Sequence, residues 1–199
     1  MDANQTHERI LQAALKVFSQ SGYKGASTRA IAKEAGVNEV TLFRHFGNKQ
    51  SLFAEMIENY STIPYIKAAR ENGGKSLENR ISRLGVQVIK VLEERRDLLS
   101  VLLSDGARLK NQGEDLLRGG PGRVLEHLIL WFREARKAGE IRKIEPEAAA
   151  RVFMGIFFFY MIFQKILPGE KFFPVNEKAM VGEFVEILLR GILPLEKRT

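Results

Sequence analysis

Apolar residues recur every three or four positions along almost the whole chain, the spacing of amphipathic helices, and no stretch alternates with the period of two that strands show. The first such series is Ile10, Leu11, Ala14, Leu15, Val17 and Phe18, and it should end at Gly22. Two much shorter series follow. Ile31 and Ala35 form one i,i+4 pair and Leu42 and Phe46 another, with Gly36-Val37-Asn38 between them. Gly36 suits a chain that leaves a helix with positive φ. Val37 should anchor the turn in the core. Asn38 should cap the next helix by accepting a hydrogen bond from an N–H two or three residues on. Gly47 should stop that helix and Asn48 cap another, which carries Phe53, Met56, Ile57 and Tyr60 inward. Pro64 should bend or break this helix before it ends near Glu71.

Downstream, Ser76 should cap a helix whose stripe is Leu77, Ile81, Leu84, Val88, Val91 and Leu92. A leucine-rich helix is expected from Asp97 to near Arg108, then a glycine-rich loop over 110–122. Pro121 or Gly122 should open a helix carrying Val124, Leu125, Leu128, Ile129 and Phe132, stopped by Gly139. The last two helices should run from near Pro146 to Ile166 and from near Asn176 to Leu193. The first of them is apolar on every side from Val152 to Phe163, so it must be covered on every side. One body covers one face; a second chain should cover the other. The final helix offers Met180, Val181, Phe184, Val185, Ile187, Leu188 and Leu189, with Gly182 and Gly191 admitting close approach. Two such helices from each of two chains would make an intersubunit four-helix bundle.

The short helix after Asn38 is different in kind. About two turns long and pinned by Leu42 and Phe46 alone, it leaves Glu39, Val40, Thr41, Arg44 and His45 on its other faces. Helix, glycine-containing turn, helix is the arrangement that sets a recognition helix in the major groove of DNA.

A dense set of residues at fixed spacing carries a family resemblance. It comprises Ile10-Leu11-x-Ala13-Ala14-x-x-x-Phe18, Gly22-Tyr23, Ser27-Thr28-Arg29-x-Ile31-Ala32-x-x-Ala35-Gly36-Val37, Thr41-Leu42-Phe43-x-His45-Phe46 and Lys49-x-x-Leu52-Phe53. This stretch resembles the DNA-binding head of the TetR family of transcriptional regulators. Gly139-Glu140-Ile141-Arg142, followed by Pro146-Glu147-Ala148-Ala149, resembles the connection before the penultimate helix of such chains. The resemblance implies an all-α fold, with a three-helix helix-turn-helix head over 1–50 and a larger helical ligand-binding and dimerisation body over 51–199. It also implies a homodimer through the last two helices.

The net charge of +7 invites a nucleic-acid reading, but residues 1–60 hold seven basic and six acidic side chains, so the excess lies in the body. The argument for DNA is local: Arg29, Arg44, His45 and Lys49 cluster around one short helix. Arg44, Val40 and Glu39 have the chemistry to meet a guanine edge, a thymine methyl and a cytosine amino group. Glu39 serves equally as a complement to the helix dipole, and Arg44 equally as a phosphate ligand. Thr28, Thr41, His45 and Lys49 match family positions that touch phosphates, contacts that set register and carry no sequence information. Arg29 stands in the same motif, with a solvated surface charge as its alternative. Phe43 is a departure, since many relatives have Tyr there. The ring is kept and a hydroxyl bond to phosphate, of about 0.5–1.5 kcal/mol, is lost.

By the same resemblance the body should hold a small apolar effector. Candidate lining residues are Met56, Tyr60, Leu84, Val88, Leu102, Leu103, Trp131, Phe153, Phe157 and Met161, each with ordinary core as its alternative. Arg83, Arg108 or Arg151 would meet an anionic group on the ligand if one exists, and otherwise are solvated. Enzyme chemistry has little support. The chain has no cysteine, and His7, His45 and His127 lack ligand spacing, so neither a metal nor a cofactor is expected. Gly119-Gly120-Pro121-Gly122 follows no strand and lacks the Lys-Ser/Thr of a phosphate loop. A polar N-terminus and an apolar run of only Val152–Phe163, against about 20 residues for a bilayer span, point to a cytoplasmic protein with no membrane partner. The expected function is a ligand-responsive regulator, by default a repressor, released from a palindromic double-stranded DNA operator. A helical protein-interaction module without sequence-specific DNA binding is the alternative.

Overall fold

The computed structural model describes residues 3–71, 75–100, 103 and 120–193, and among them every regular element is a helix. They fall into two compact units, one of 1–61 with 95–123 and the other of 62–94 with 124–199.

The first unit begins with α1 (Ala3–Gly25), α2 (Thr28–Glu34), α3 (Glu39–Phe46) and α4 (Lys49–Tyr60). The helical path of α1 breaks at Gly22, which has φ 71°. The boundaries that follow are set by short-range chemistry. The Ser27 hydroxyl accepts from the Ala30 N–H at 3.0 Å, Asn38 Oδ1 from the Thr41 N–H at 2.7 Å and Asn48 Oδ1 from the Ser51 N–H at 2.8 Å. Each satisfies one of the donors that a helix start leaves without a partner. Gly36 and Gly47 have φ of 64° and 74°, a region where a Cβ is strained. Ile10, Leu11, Phe18, Ile31, Leu42, Leu52, Phe53 and Met56 form the buried centre, with Phe18 edge-on to Phe53 at 5.1 Å. Val37, expected to anchor the turn in the core, is only half-buried. In the same unit Arg123 donates to Glu58 at 2.6 Å.

The second unit holds α5 (Ile63–Glu71), α6 (Leu77–Glu94), the part of α7 (Pro121–Lys137) from Val124 onward, and α8 (Pro146–Met161) with a π-turn over Ile162–Ile166. It ends with α9 (Gly169–Phe172) and α10 (Glu177–Ile192). The helix expected to reach Glu71 in one piece is two, α4 ending at Tyr60 and α5 starting at Ile63. The break precedes Pro64, which sits in the first turn of α5, where its missing N–H costs nothing. The helix from Asp97 to Arg108 and the loop over 110–122 lie largely outside the described residues, although 96–100 are helical. α9 was not anticipated.

α6, α7, α8 and α10 surround one core that includes Leu84, Val88, Trp131, Phe132, Phe153, Phe157, Val185 and Leu188. A Cβ on Gly85 would stand 2.9 Å from Phe157 Cζ and 3.0 Å from Val185 Cγ2, so this glycine lets α6 approach α8 and α10. At the end of α7, Gly139 turns the chain with φ 70°, and the Arg142 N–H donates to the Ile192 carbonyl at 2.8 Å. The opposite side of α8 is bare. Val152 is 51% and Phe159 67% exposed, as is Ile187 of α10 at 62%, and nothing lies within 4 Å of a Cβ built on Gly155, Gly182 or Gly191. Counted from Pro146 to Ile166, this helix is long and apolar enough to cross a bilayer by length and composition, a property shared by core helices. The sequence reading counted only the uninterrupted apolar run and so put the segment below that length.

Candidate nucleic-acid interface

α3 is held from behind and open in front. Leu42 is fully buried and Phe46 nearly so, whereas Val40 is 76% and Phe43 42% exposed, and Arg44 is exposed between them. Two apolar anchors one turn apart fix the helix axis, and the side chains between them are left to solvent. The support extends beyond α3. Arg9 of α1 donates to the carbonyl of Ala35 at 2.5 Å, tying the turn to the first helix. The His7 ring stacks on Phe46 with centroids 4.4 Å apart, and its Nε2 lies 2.6 Å from Glu55 Oε1 on α4. Sequence reading passed over both residues. His7 and Arg9 precede the periodic series of α1, and only the tertiary fold brings them to α3 and the turn.

None of the expected DNA-contacting residues is buried. Arg29, Asn38, Val40, Phe43 and Arg44 are exposed, and Thr28, Glu39, Thr41, His45 and Lys49 are half-buried. Several are already engaged. The Thr28 hydroxyl donates to Glu39 Oε1, joining the start of α2 to the start of α3. The Lys49 ammonium sits over the Tyr23 ring at 4.6 Å from its centroid. Phe43 is 42% exposed, so α3 turns much of its ring outward.

The expected effector-lining residues are divided between the two units. Met56 and Tyr60 belong to the first unit, and Leu84, Val88, Trp131, Phe153, Phe157 and Met161 to the second, all but Tyr60 buried. Leu103 is 36% exposed, and Leu102 and Arg108 lie outside the described residues. The Tyr60 hydroxyl donates to Glu8, and Arg95 lies over its ring. Burial first, and then the Glu8 carboxylate, push its phenol up to about 12. Arg151 is exposed and donates to the Glu147 carbonyl of its own helix at 3.1 Å. Within the second unit an open depression of about 540 Å³ lies along α5 and α6, and of the expected lining residues only Leu84 borders it. Arg83 borders it too, as does Arg80, which sequence reading missed. The signal was present. Arg80 falls three after Leu77 and four before Leu84, a cation inside an apolar stripe, and it is buried.

Known proteins place this geometry. Residues 10–56 match the family described as bacterial regulatory proteins, tetR family, and residues 79–191 match the AefR-like transcriptional repressor C-terminal domain. YvkB of Bacillus subtilis, an uncharacterized HTH-type transcriptional regulator, is 26% identical over 187 residues, which span 94% of this chain and 97% of its own. The nucleoid occlusion factor SlmA of Marinobacter nauticus is 31% identical over 150 residues, 72% of this chain and 73% of its own. The transcriptional regulator FadR of Bacillus subtilis, solved in complex with stearoyl-CoA, superposes with a TM-score of 0.63 at 19% identity, over 92% of this chain and 98% of that one. At that identity the likeness is one of fold.

Proposed function

The chain belongs to the tetR family of bacterial DNA-binding transcription regulators, and from that premise we propose that it is a homodimeric repressor released from a palindromic operator by a small-molecule effector. The DNA-binding domain is 1–50 and the effector-binding and dimerisation domain 51–199. The observation that carries the reading is the exposed front of α3, where Val40, Phe43 and Arg44 project between two buried anchors. Val40 and Arg44 read base edges in the major groove. Arg29, Thr41, His45 and Lys49 meet phosphates, as does Thr28 once its hydroxyl leaves Glu39, and Asn38 keeps the start of the helix in shape. Glu39 joins the two helices through Oε1, which accepts from Thr28, and its second oxygen accepts from a cytosine amino group.

The bare side of α8 and α10 supports a second copy as partner. Large apolar residues and side-chain-free glycines alternate there, a surface suited to another helix pair. Such a dimer sets two recognition helices about 34–36 Å apart, one turn of the duplex. The effector shifts that spacing through the body, and a hundredfold loss of operator affinity needs a coupling of about 2.7 kcal/mol. The stearoyl-CoA complex of FadR supports a small molecule in this fold. Family membership favours a cytoplasmic site of action.

Selection of bound duplexes from a random library tests the reading. A palindromic consensus is expected, with affinity falling by about 0.9 log units per neutralised phosphate for each tenfold rise in salt. Failure to enrich any sequence, with no salt-sensitive duplex binding, would reduce the chain to a protein-interaction module.

A further inference from the structure

Arg80 is a guanidinium taken almost wholly out of water, 5% exposed, at the edge of the depression along α5 and α6. Burying such a charge costs several kcal/mol unless its donors are met. One is met, since Nη2 donates to Glu140 Oε1 at 2.5 Å. Nε–H, buried, has no acceptor among the described residues. Its guanidinium carbon lies 5.8 Å from the centre of the Trp131 ring, and the indole Nε1–H, also buried, has no acceptor either. Two neighbouring buried donors without an acceptor are unusual in a folded protein, where nearly all such groups are paired.

The surroundings say what acceptor fits. Lys75 and Arg83 add positive charge at the border of the depression and no carboxylate lines it among the described residues, while Ala68, Ala69 and Leu84 give it an apolar wall. Glu140 already faces the guanidinium, which disfavours a doubly charged phosphate and suits a singly charged head group. We propose that this depression is a binding site for a small amphipathic carboxylate, with Arg80 Nε–H taking the head group and the apolar wall of α5 and α6 taking the tail. The site deepens the effector reading above by naming the ligand's charged end, and it rests on that reading for its regulatory meaning but not for binding itself.

Trp131 is the only tryptophan of the chain, and with the Arg80 guanidinium carbon 5.8 Å from its ring its fluorescence reports on the surroundings of Arg80. Titration of the full-length protein with octanoate should give a saturable change, and octanol should bind about tenfold or more weakly, the worth of one charge-assisted hydrogen bond. Arg80→Met should abolish octanoate binding. If that variant fails to fold, the double variant Lys75→Ala/Arg83→Ala, at exposed positions, decides. It should melt like the parent, bind octanoate several-fold more weakly and lose much of the salt dependence of binding. Equal affinity for octanol and octanoate overturns the proposal, as does a flat titration. So does unchanged octanoate affinity in either folded variant, which would leave water as the partner of the buried donors. A flat titration with operator binding intact removes this site alone. Absent operator binding with a saturable titration removes the regulator reading and keeps the site.

Discussion

The segments Glu39–Phe46 and Pro146–Met161 both leave large apolar side chains in the open, Val40 and Phe43 on one and Val152 and Phe159 on the other, but for different reasons. In the first, the exposed apolar groups stand beside Arg44, Thr41 and His45, and a mixed polar face of that kind suits a base edge and a phosphate. In the second, they stand beside Gly155 and, on the neighbouring helix, Gly182 and Ile187, a face with little to offer but area and closeness. The two are also held differently. α3 is bounded by bonds to its immediate neighbours, Asn38 at one end and Gly47 at the other. α8 takes no side-chain cap at its start, and its place comes from Phe153 and Phe157 lying among residues distant in sequence. Exposure alone therefore does not define a site. The company of the exposed group and the origin of its rigidity do.

Five measurements break or sharpen this contrast. Phe157→Ala should destabilise the second unit by about 3–5 kcal/mol, seen as a shift of the denaturant midpoint, because the cavity opens beside Gly85 where three helices meet. A loss below about 1 kcal/mol would mean that the core of α8 is loose and the contrast overstated. Leu42→Ala should cost about 2–5 kcal/mol in the first unit, whereas Val40→Ala should change stability by no more than about 0.5 kcal/mol. The paired result separates prop from probe on one short helix. Arg44→Ala should weaken a selected duplex by about 1–3 kcal/mol more than random duplex, measured by titration at one salt concentration. Equal losses on both would place Arg44 on the backbone.

Asn38→Ala removes the acceptor for the Thr41 N–H and should cost about 0.5–2 kcal/mol, with Asn38→Ser restoring most of it. No change with Ala would show that α3 is held by its anchors and not by its cap. The smallest effect concerns Tyr60, whose neutral form the fold favours by burial and by the Glu8 carboxylate. Its phenol titrates near 12 in place of the ordinary value of about 10. The stabilisation is complete below the unfolded value and fades as pH rises through the folded one. The stability difference between the parent and Tyr60→Phe should therefore be constant at neutral pH and shrink only in strongly alkaline solution. A difference that changes near neutral pH would assign the tyrosine another partner.

The helix ends near α2, α3 and α4 were legible in the sequence because the groups that set them are three or four residues apart. Asn38 and Asn48 cap, and Gly36 and Gly47 stop, whatever the rest of the chain does, and the Ser27 cap of α2, equally local, went unread. The apolar stripe of α6 and the all-round apolarity of α8 were legible for the same reason, since periodicity is a property of a single segment. The long-range partnerships were not. Nothing local says that His7 stacks on Phe46, that Arg9 holds the carbonyl of Ala35, or that Met56 and Phe157 belong to different units. The break between Tyr60 and Ile63 was expected only as a bend or break at Pro64, because a proline forbids one hydrogen bond without saying on which side the chain yields. Arg80 makes the division clearest. Its place in an apolar stripe is written in the chain, but whether a cation there reaches solvent or stays buried beside Glu140 and Trp131 depends on helices arriving from elsewhere. Local bonds and periodicity act within a few residues and are encoded there. Burial is a property of the whole packed unit, so only the tertiary structure settles it.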